Sequence, residues 1–500
     1  MSFASFRPEP FFNRQNELRA LERAWNVQGS TGQMVLLYGR RRLGKTYLLQ
    51  RFFAGGVGEM PRPHGYYLAD QTTAATQRLA LARTLLSVLP DDGVEEEEIA
   101  VSWNALLRHV SAHCQQGERF GLILDEFPYL MEQSPELPAT LQAWWDREGA
   151  HTRVFLVLCG SQLSAMASLG AESEPLFGRF NAGIMRLAPL RYDEVSEFYL
   201  ESPFYGLLER LQMYGVFGGA PRYHALVDTS QPLEREVTDL LLRPGSPLEN
   251  EVRFLLGSQH IRHPAPYNAI LQAIAQGETQ FGRIQQVTDI ERSSLSFHLK
   301  TLLELGWIER ELPFGETSER RALYIVADPF LAFWYRFVAP LSSVLQFNDP
   351  IAVYRERIAP YLFDYMGRYV FEGVCHQWLQ RHARTRLSLS IQRMGRYWSR
   401  DGQTEIDIVA ELSDGTYLFG ECKWSANRPT GLSVLSALQA KALSLPEARY
   451  RRNPSFVLFT AGQFTPDLKA LSKDRENRVF LISGEDLILS KSSPSSATDQ

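Results

Sequence analysis

The sequence predicts an α/β protein built in several parts, and three observations carry that reading. Short apolar runs alternate with helical stretches over the first 190 residues, and the first run ends in Gly39-Arg-Arg-Arg-Leu-Gly44-Lys45-Thr46. Residues 267–326 read as helix, turn, helix, turn, helix and two-stranded ribbon. A second mixed region holds Glu405-Ile-Asp407 and, one turn later, Glu421-Cys-Lys423. At roughly 150 residues per domain, 500 residues suit about three domains.

Composition narrows the function. Hydrophobic residues make up 44% and charged residues 22%, so neither a disordered chain nor a membrane bundle is expected. No run approaches the ~20 apolar residues of a spanning helix. The opening MSFASFRPEPFFNR has no apolar signal core, so a cytoplasmic protein is expected. Lys+Arg number 52 and Asp+Glu 57, a net charge of −5. A generally basic coat is excluded, and any nucleic-acid binding must come from local patches. Cys114, Cys159, Cys375 and Cys422 form no C-x-x-C pair. That argues for a reduced compartment and against a structural zinc site.

Five candidate strands come first. Residues 34–38 (MVLLY), 65–68 (GYYL), 120–124 (FGLIL), 154–158 (VFLVL) and 183–187 (GIMRL) are continuous apolar runs, which predict strands covered on both faces in a parallel sheet. Helical segments such as 45–53 and 72–89 supply the crossovers. Residues 91–98 (DDGVEEEE) read as a solvated loop or helix start.

The segment 39–46 fits G-x-x-x-x-G-K-[ST] directly after a strand. Its glycines let backbone wrap a phosphate, and the N–H groups of the loop and helix start point at it. Gly39, Arg40, Arg41, Arg42, Leu43, Gly44, Lys45, Thr46 and Tyr47 are therefore nucleotide-binding candidates. Lys45 supplies the cation, and the Thr46 hydroxyl a ligand for Mg²⁺. About 80 residues on, a strand ends in Asp125-Glu126. Asp125 can hold Mg²⁺ through water, and Glu126 can polarise the attacking water. Ser161 and Gln162 close the next strand. Either can reach the γ-phosphate or its water, and Ser161 equally suits a helix N-cap.

In order, F12-x-R14-x-x-E17-L18, YGRRRLGKT, LILDE, CGS, PLFGR and GGAPRY resemble the AAA+-related archaeal ATPase family, close to the STAND NTPases. The resemblance covers about half the chain. It implies an ATP-binding P-loop core of five parallel strands with a small helical lid. It also implies an arginine finger at Arg179, acting in its own or a neighbouring subunit of a homo-oligomer, and a sensor at Arg222. The plain alternative for Arg179 is a surface ion pair.

Residues 267–326 fit a winged helix-turn-helix, with helices at 267–276, 281–288 and 291–305 and a ribbon closing at 321–326. Leu295, Leu299, Leu302 and Leu303 form its inner face. Ser293, Ser294, Ser296, His298 and Lys300 face solvent or a DNA groove, with Ser294 and Lys300 the named contacts. Such folds serve as protein-binding modules too. The aromatic stretch 330–337 reads as a hydrophobic joint between the winged helix and the C-terminal domain.

Residues i and i+2 of a strand share a face, so Glu421 and Lys423 project together, with Asp407 on the neighbouring strand. Glu372, on a helix predicted over 368–380, can pack beside them. Together these resemble the PD-(D/E)xK nuclease fold, in the DUF234-type region often joined to this ATPase. That implies Mg²⁺ held by Glu372, Asp407 and Glu421, with Lys423 catalytic. Residues 373–400 hold Arg381, Arg384, Arg386, Arg393, Arg396 and Arg400 and no acid. They read as a basic patch for DNA, with Arg393 and Arg396 as contacts. His376 and His382 suit packing or the surface. Tyr397 and Trp398 suit the core or stacking on bases.

The expected organisation is an ATPase core at 10–190, a helical lid at 191–260, a winged helix at 261–330, an α/β restriction-endonuclease-like domain at 331–490 and a disordered tail at 491–500. The expected activity is ATP-controlled DNA binding and Mg²⁺-dependent cleavage. The alternative is a regulatory switch with an inactive nuclease-like domain. A translocase lacks its motif set.

Overall fold

In the computed structural model the described residues are 13–488, except 56–59, 92, 116–117, 260, 262, 426–427 and 446–452. Phe12 of the first motif and the expected tail at 491–500 lie outside them. The chain folds as two compact units, Met1–Pro189 with Ala220–Arg222, and Leu190–Gly219 with Tyr223–Gln500.

The first unit is a five-stranded sheet of β1 (Gln33–Tyr38), β2 (His64–Leu68), β3 (Phe120–Asp125), β4 (Val154–Gly160) and β5 (Gly183–Arg186). Its order is β2-β3-β4-β1-β5 and every pairing is parallel. β3 and β4 are buried at every residue, because helices cover both faces. Leu81, Leu85, Leu106, Leu122, Trp144 and Leu156 share one side's core. Thr73 caps the helix Ala74–Val88, shortening the one expected over 72–89. The acidic run 91–98 enters the short helix Glu96–Ala100. Inserting β4 between β1 and β3 gathers the carboxyl ends of three strands on one edge. Open parallel sheets bind ligands at that edge.

In the second unit, the helices Ala265–Ala275, Phe281–Thr288 and Arg292–Glu304 precede an antiparallel pair, β6 (Ile308–Glu311) and β7 (Leu323–Val326). Leu295, Leu299 and Leu302 are buried and Leu303 half-buried, while Ser293, Ser294, Ser296 and Lys300 are exposed. β7 starts two residues later than expected, because Glu319–Arg321 forms a tight helical turn before it. Phe330, Phe333, Trp334 and Phe337 are buried.

A second sheet runs β12-β11-β10-β9-β8, from β8 (Ile391–Trp398), β9 (Glu405–Leu412), β10 (Tyr417–Lys423), β11 (Ser455–Thr460) and β12 (Val479–Ile482). β8, β9 and β10 are antiparallel neighbours, and β10, β11 and β12 run parallel. The helix beside them, Phe371–Arg386, extends six residues past its expected end at 380. Its face of Val374, Cys375, Trp378, Leu379 and Ala383 is buried, so packing carries it on.

Candidate functional site

The loop between β1 and the helix Lys45–Ala54 is shaped for a close approach. Gly44 sits at φ +85°, where a side chain would be strained, and a Cβ on Gly39 would stand 2.6 Å from the Leu187 carbonyl oxygen. Arg42 adopts φ 72°. Lys45 is buried and donates from Nζ to the carbonyl oxygens of Gly39 (2.9 Å) and Arg40 (3.2 Å). Arg41 donates to the Tyr129 hydroxyl, and Arg14 to the carbonyls of Leu43 and Ala188, fastening the loop from two sides. Pro221 lies 4.0 Å from the position of a Cβ on Gly44, which brings the segment of exposed Arg222 beside the loop.

The acids stand at the end of β3. Asp125 Oδ2 accepts from Thr46 Oγ1 (2.9 Å) and from Tyr66 Oη (2.8 Å), while Oδ1 accepts the Glu126 N–H. Thr46 and Asp125 therefore offer hard oxygen donors side by side, a set that fits Mg²⁺. Burial and then the Asp125 charge hold the Tyr66 phenol well above its ordinary value.

Glu126 is left-handed at φ 53°, which turns its side chain toward β4. Its carboxylate accepts from Ser161 Oγ at 2.9 and 3.0 Å and from the Ser161 N–H at 3.2 Å. Ser161 is thus a partner of Glu126. The N-cap reading is corrected, because the helix Leu163–Ser168 is preceded by Gln162 with no side-chain cap. Gln162 donates to Glu132. Arg179 forms a forked pair with Asp146 (2.9 and 2.7 Å) and donates to the carbonyls of Pro175 and Phe177. The pair lowers the Asp146 carboxyl and raises the Arg179 guanidinium.

In the second unit, Asp407 and Glu421 face each other one step beyond the pairing of Ile408 with Gly420. Asp407 Oδ2 accepts the Cys422 N–H at 2.7 Å. Lys423 donates to Glu421 at 2.7 Å, and Lys441, on the helix Leu432–Ser444, grips both Glu421 oxygens (3.2 and 2.9 Å). Burial and then the Glu421 charge push Asp407 up to about 6. Burial pushes Glu372 up to about 8, against the opposing charge of Arg396. For Lys423 burial works downward, yet its bond to Glu421 wins and the ammonium is raised. His376 is bonded to the Asp407 carbonyl (3.0 Å), and burial lowers it.

The expected metal set is not assembled. Among the described residues no group of three or more His, Cys, Asp or Glu could hold a metal ion. Each carboxylate already has a protein partner: Glu421 two lysines, Glu372 the Arg396 Nε at 3.1 Å, Asp407 a backbone N–H. The donors suit a hard cation, but as arranged they do not fit one.

The expected basic patch is corrected for three of its six arginines. Arg396 pairs with Glu311, Glu372 and Glu405, Arg393 with Glu411, and Arg381 with Asp193. Their neighbours in sequence include no acid, but distant segments bring acids to them. Arg393 and Arg396 therefore carry internal ion pairs, while Ser294 stays exposed. Lys300 is exposed as well, 3.9 Å from Glu304. Reasoning from sequence missed Tyr66 and Lys441. No local motif marks either, since each reaches its carboxylate across the fold.

Loop, acid pair and sheet order together define the class, a P-loop ATPase domain of α/β type. Residues 11–227 match the model of an ATPase domain predominantly from Archaea, and residues 334–437 match DUF234, archaeal and bacterial proteins of unknown function. The chain thus carries an archaeal-type ATPase domain followed by a DUF234 region. An uncharacterized protein of Methanocaldococcus jannaschii is 29% identical over 418 residues, 83% of this chain and 87% of that one. An uncharacterized ATP-binding protein of the same organism is 50% identical over 42 residues, 8% of this chain and 68% of that one. Among solved structures, the Walker-type ATPase of Pyrococcus abyssi aligns with a TM-score of 0.49 at 21% identity, covering 67% of this chain and 99% of its own. The Aeropyrum pernix ORC2 protein, in ADPNP–ADP complexes, aligns at 0.44 and 13%, covering 70% and 97%. No helix among the described residues is long and apolar enough to cross a membrane.

Proposed function

We propose that this protein is an ATP-hydrolysing switch whose nucleotide state governs DNA binding by the second unit. The observation that carries the coupling is the membership of Ala220–Arg222 in the first unit, beside Gly44, while Gly219 and Tyr223 on either side belong to the second. In this reading a change at the phosphate loop passes to the second unit through covalent chain.

In the hydrolytic step Lys45 leaves the carbonyls of Gly39 and Arg40 for the β- and γ-phosphates. Thr46 would hold Mg²⁺ directly and Asp125 through water, and Tyr66 fixes the Asp125 rotamer. The ion, when bound, offsets charge on the phosphate oxygens. Glu126 takes a proton from the attacking water as the bond between γ-phosphorus and its bridging oxygen breaks. Ser161 sets where the Glu126 carboxylate stands. Arg222 lies in the segment that would sense the nucleotide. Action of Arg179 on a neighbour's nucleotide in a homo-oligomer requires it to leave Asp146.

The test is DNA affinity measured by fluorescence anisotropy with ATP, ADP or no nucleotide. The wild type should change affinity at least threefold between ATP and no nucleotide, and Lys45→Ala should not. Equal affinity in all three states contradicts the switch.

A second reading, metal-dependent DNA cleavage, is supported by the nearness of Asp407, Glu421 and Lys423 on β9 and β10. Against it stands the engagement of Glu421 by two lysines. Cleavage with Mg²⁺ or Mn²⁺ that is lost in Asp407→Ala and Lys423→Ala would establish it. The absence of cleavage in all three proteins leaves the DUF234 region as a scaffold. The winged-helix assignment of residues 265–326 belongs to the same proposal.

A further inference from the structure

The helix Arg292–Glu304, the β6–β7 ribbon and the tip between β8 and β9 enclose a cleft of about 930 Å³ within the second unit. Its walls carry Arg292, Lys300, Arg310, Arg320, Arg321 and Arg400, six cations against one carboxylate, Glu319. The chain as a whole is net −5, so this concentration does not follow from composition.

Two of the cations help to build the walls. Arg310 pairs with Glu319 at 2.7 Å, and Arg321 pairs with Glu316 while donating to the Trp398 carbonyl, which ties the ribbon turn to the β8–β9 tip. The tip itself is braced by the Ser399 N–H on the Thr404 carbonyl and the Gln403 N–H on Asp401. The Phe314 N–H donates to the Arg396 carbonyl at 2.7 Å and fastens the chain after β6 to β8. Of the remaining four, Lys300 lies 3.9 Å from Glu304. Among the described residues Arg292, Arg320 and Arg400 make no ion pair, and Arg292 lies over the Phe281 ring at 5.4 Å. Arg320 and Arg400 are exposed. Trp398 lines the same cleft half-buried.

We propose that this cleft binds the phosphodiester backbone of a nucleic acid, with Arg292, Arg320 and Arg400 on the phosphates and the Trp398 ring beside a base. The inference rests on the DNA-binding part of the proposed function and moves the contacts from Arg393 and Arg396 to a different surface. Guanidinium forks match phosphate oxygens two at a time, and an aromatic ring among them offers a stacking face that an acidic peptide does not need. Lys300, expected from sequence as a DNA contact, lines the same cleft.

The experiment uses the full chain, fluorescein-labelled single-stranded and duplex oligonucleotides, and poly-glutamate as competitor, over a range of salt. Arg320→Ala/Arg400→Ala should weaken oligonucleotide binding at least tenfold. It should also make the log–log salt slope shallower by about 0.7–0.9 per phosphate contact removed. Arg19→Ala/Arg23→Ala, two exposed arginines of the first unit, should stay within about twofold of wild type, and thermal unfolding should be unchanged in both. Wild-type affinity in Arg320→Ala/Arg400→Ala overturns the cleft and leaves the DNA-binding reading standing. Failure of the wild type to bind either oligonucleotide overturns both. Poly-glutamate displacing the oligonucleotide at equal charge concentration overturns the nucleic-acid assignment in favour of an acidic protein partner.

Discussion

At the scale of single residues, the proposed hydrolysis rests on Glu126 and Ser161. A carboxylate that accepts one shared O–H and one N–H from a single serine is held in place, and in the proposed step it is released or turned for its proton transfer. Glu126→Gln should cut ATP turnover by about 10²–10⁴-fold with nucleotide binding kept, the range for loss of a general base. Ser161→Ala should change kcat about tenfold while KM for ATP stays within about twofold, because the hydroxyl acts through Glu126. A steady-state phosphate-release assay reads both, and full turnover in Glu126→Gln removes that residue from the mechanism. His224 gives a separate check. It is fully enclosed, bonded to the Tyr199 hydroxyl (2.6 Å) and the Gly218 carbonyl (2.8 Å), and burial pushes it down to about 4. Its folded pKa lies below its unfolded value, so the stability it contributes is complete above about 6.5 and is lost as pH falls toward 4. That amounts to about 3 kcal/mol between pH 7 and 4 at roughly 1.4 kcal/mol per unit. Urea unfolding of wild type and His224→Gln should diverge in pH slope by that order, and parallel slopes would contradict the assignment.

Elements decide whether such residues meet. A Cβ on Gly420, on the strand that carries Glu421, would stand 2.9 Å from both Ile408 Cβ on β9 and Val457 Cγ1 on β11. Gly420→Ala should therefore destabilise the second unit by about 1–3 kcal/mol. Differential scanning calorimetry checks this, and an unchanged transition would mean the sheet yields there. The same register explains what could be read from sequence. Glu421 and Lys423 announce a shared face by their spacing alone, and the loop 39–46 announces its turn by its glycines. The runs that became β1, β3 and β4 were legible because strands covered on both faces need unbroken apolar residues, whereas β5 is an edge strand with Ile184 exposed. What escaped depends on chain folding back from afar. Lys441 lies 20 residues beyond Glu421 on a helix, and Tyr66 lies 59 residues before Asp125 on a neighbouring strand. Arg396 looked free because its acids, Glu311, Glu372 and Glu405, lie on three other segments.

At the scale of the whole molecule, an ATPase domain and a DUF234 region share one chain, and Ala220–Arg222 returns to the phosphate loop from between residues of the second unit. The proposed control of DNA affinity by nucleotide depends first on the loop gripping a triphosphate. The most direct measurement is isothermal titration calorimetry of ATP with Mg²⁺ into wild type and Lys45→Ala. Saturable binding by the wild type is expected, with at least tenfold weaker binding by Lys45→Ala. Equal affinity in the two proteins, or no heat of binding in the wild type, would contradict that control.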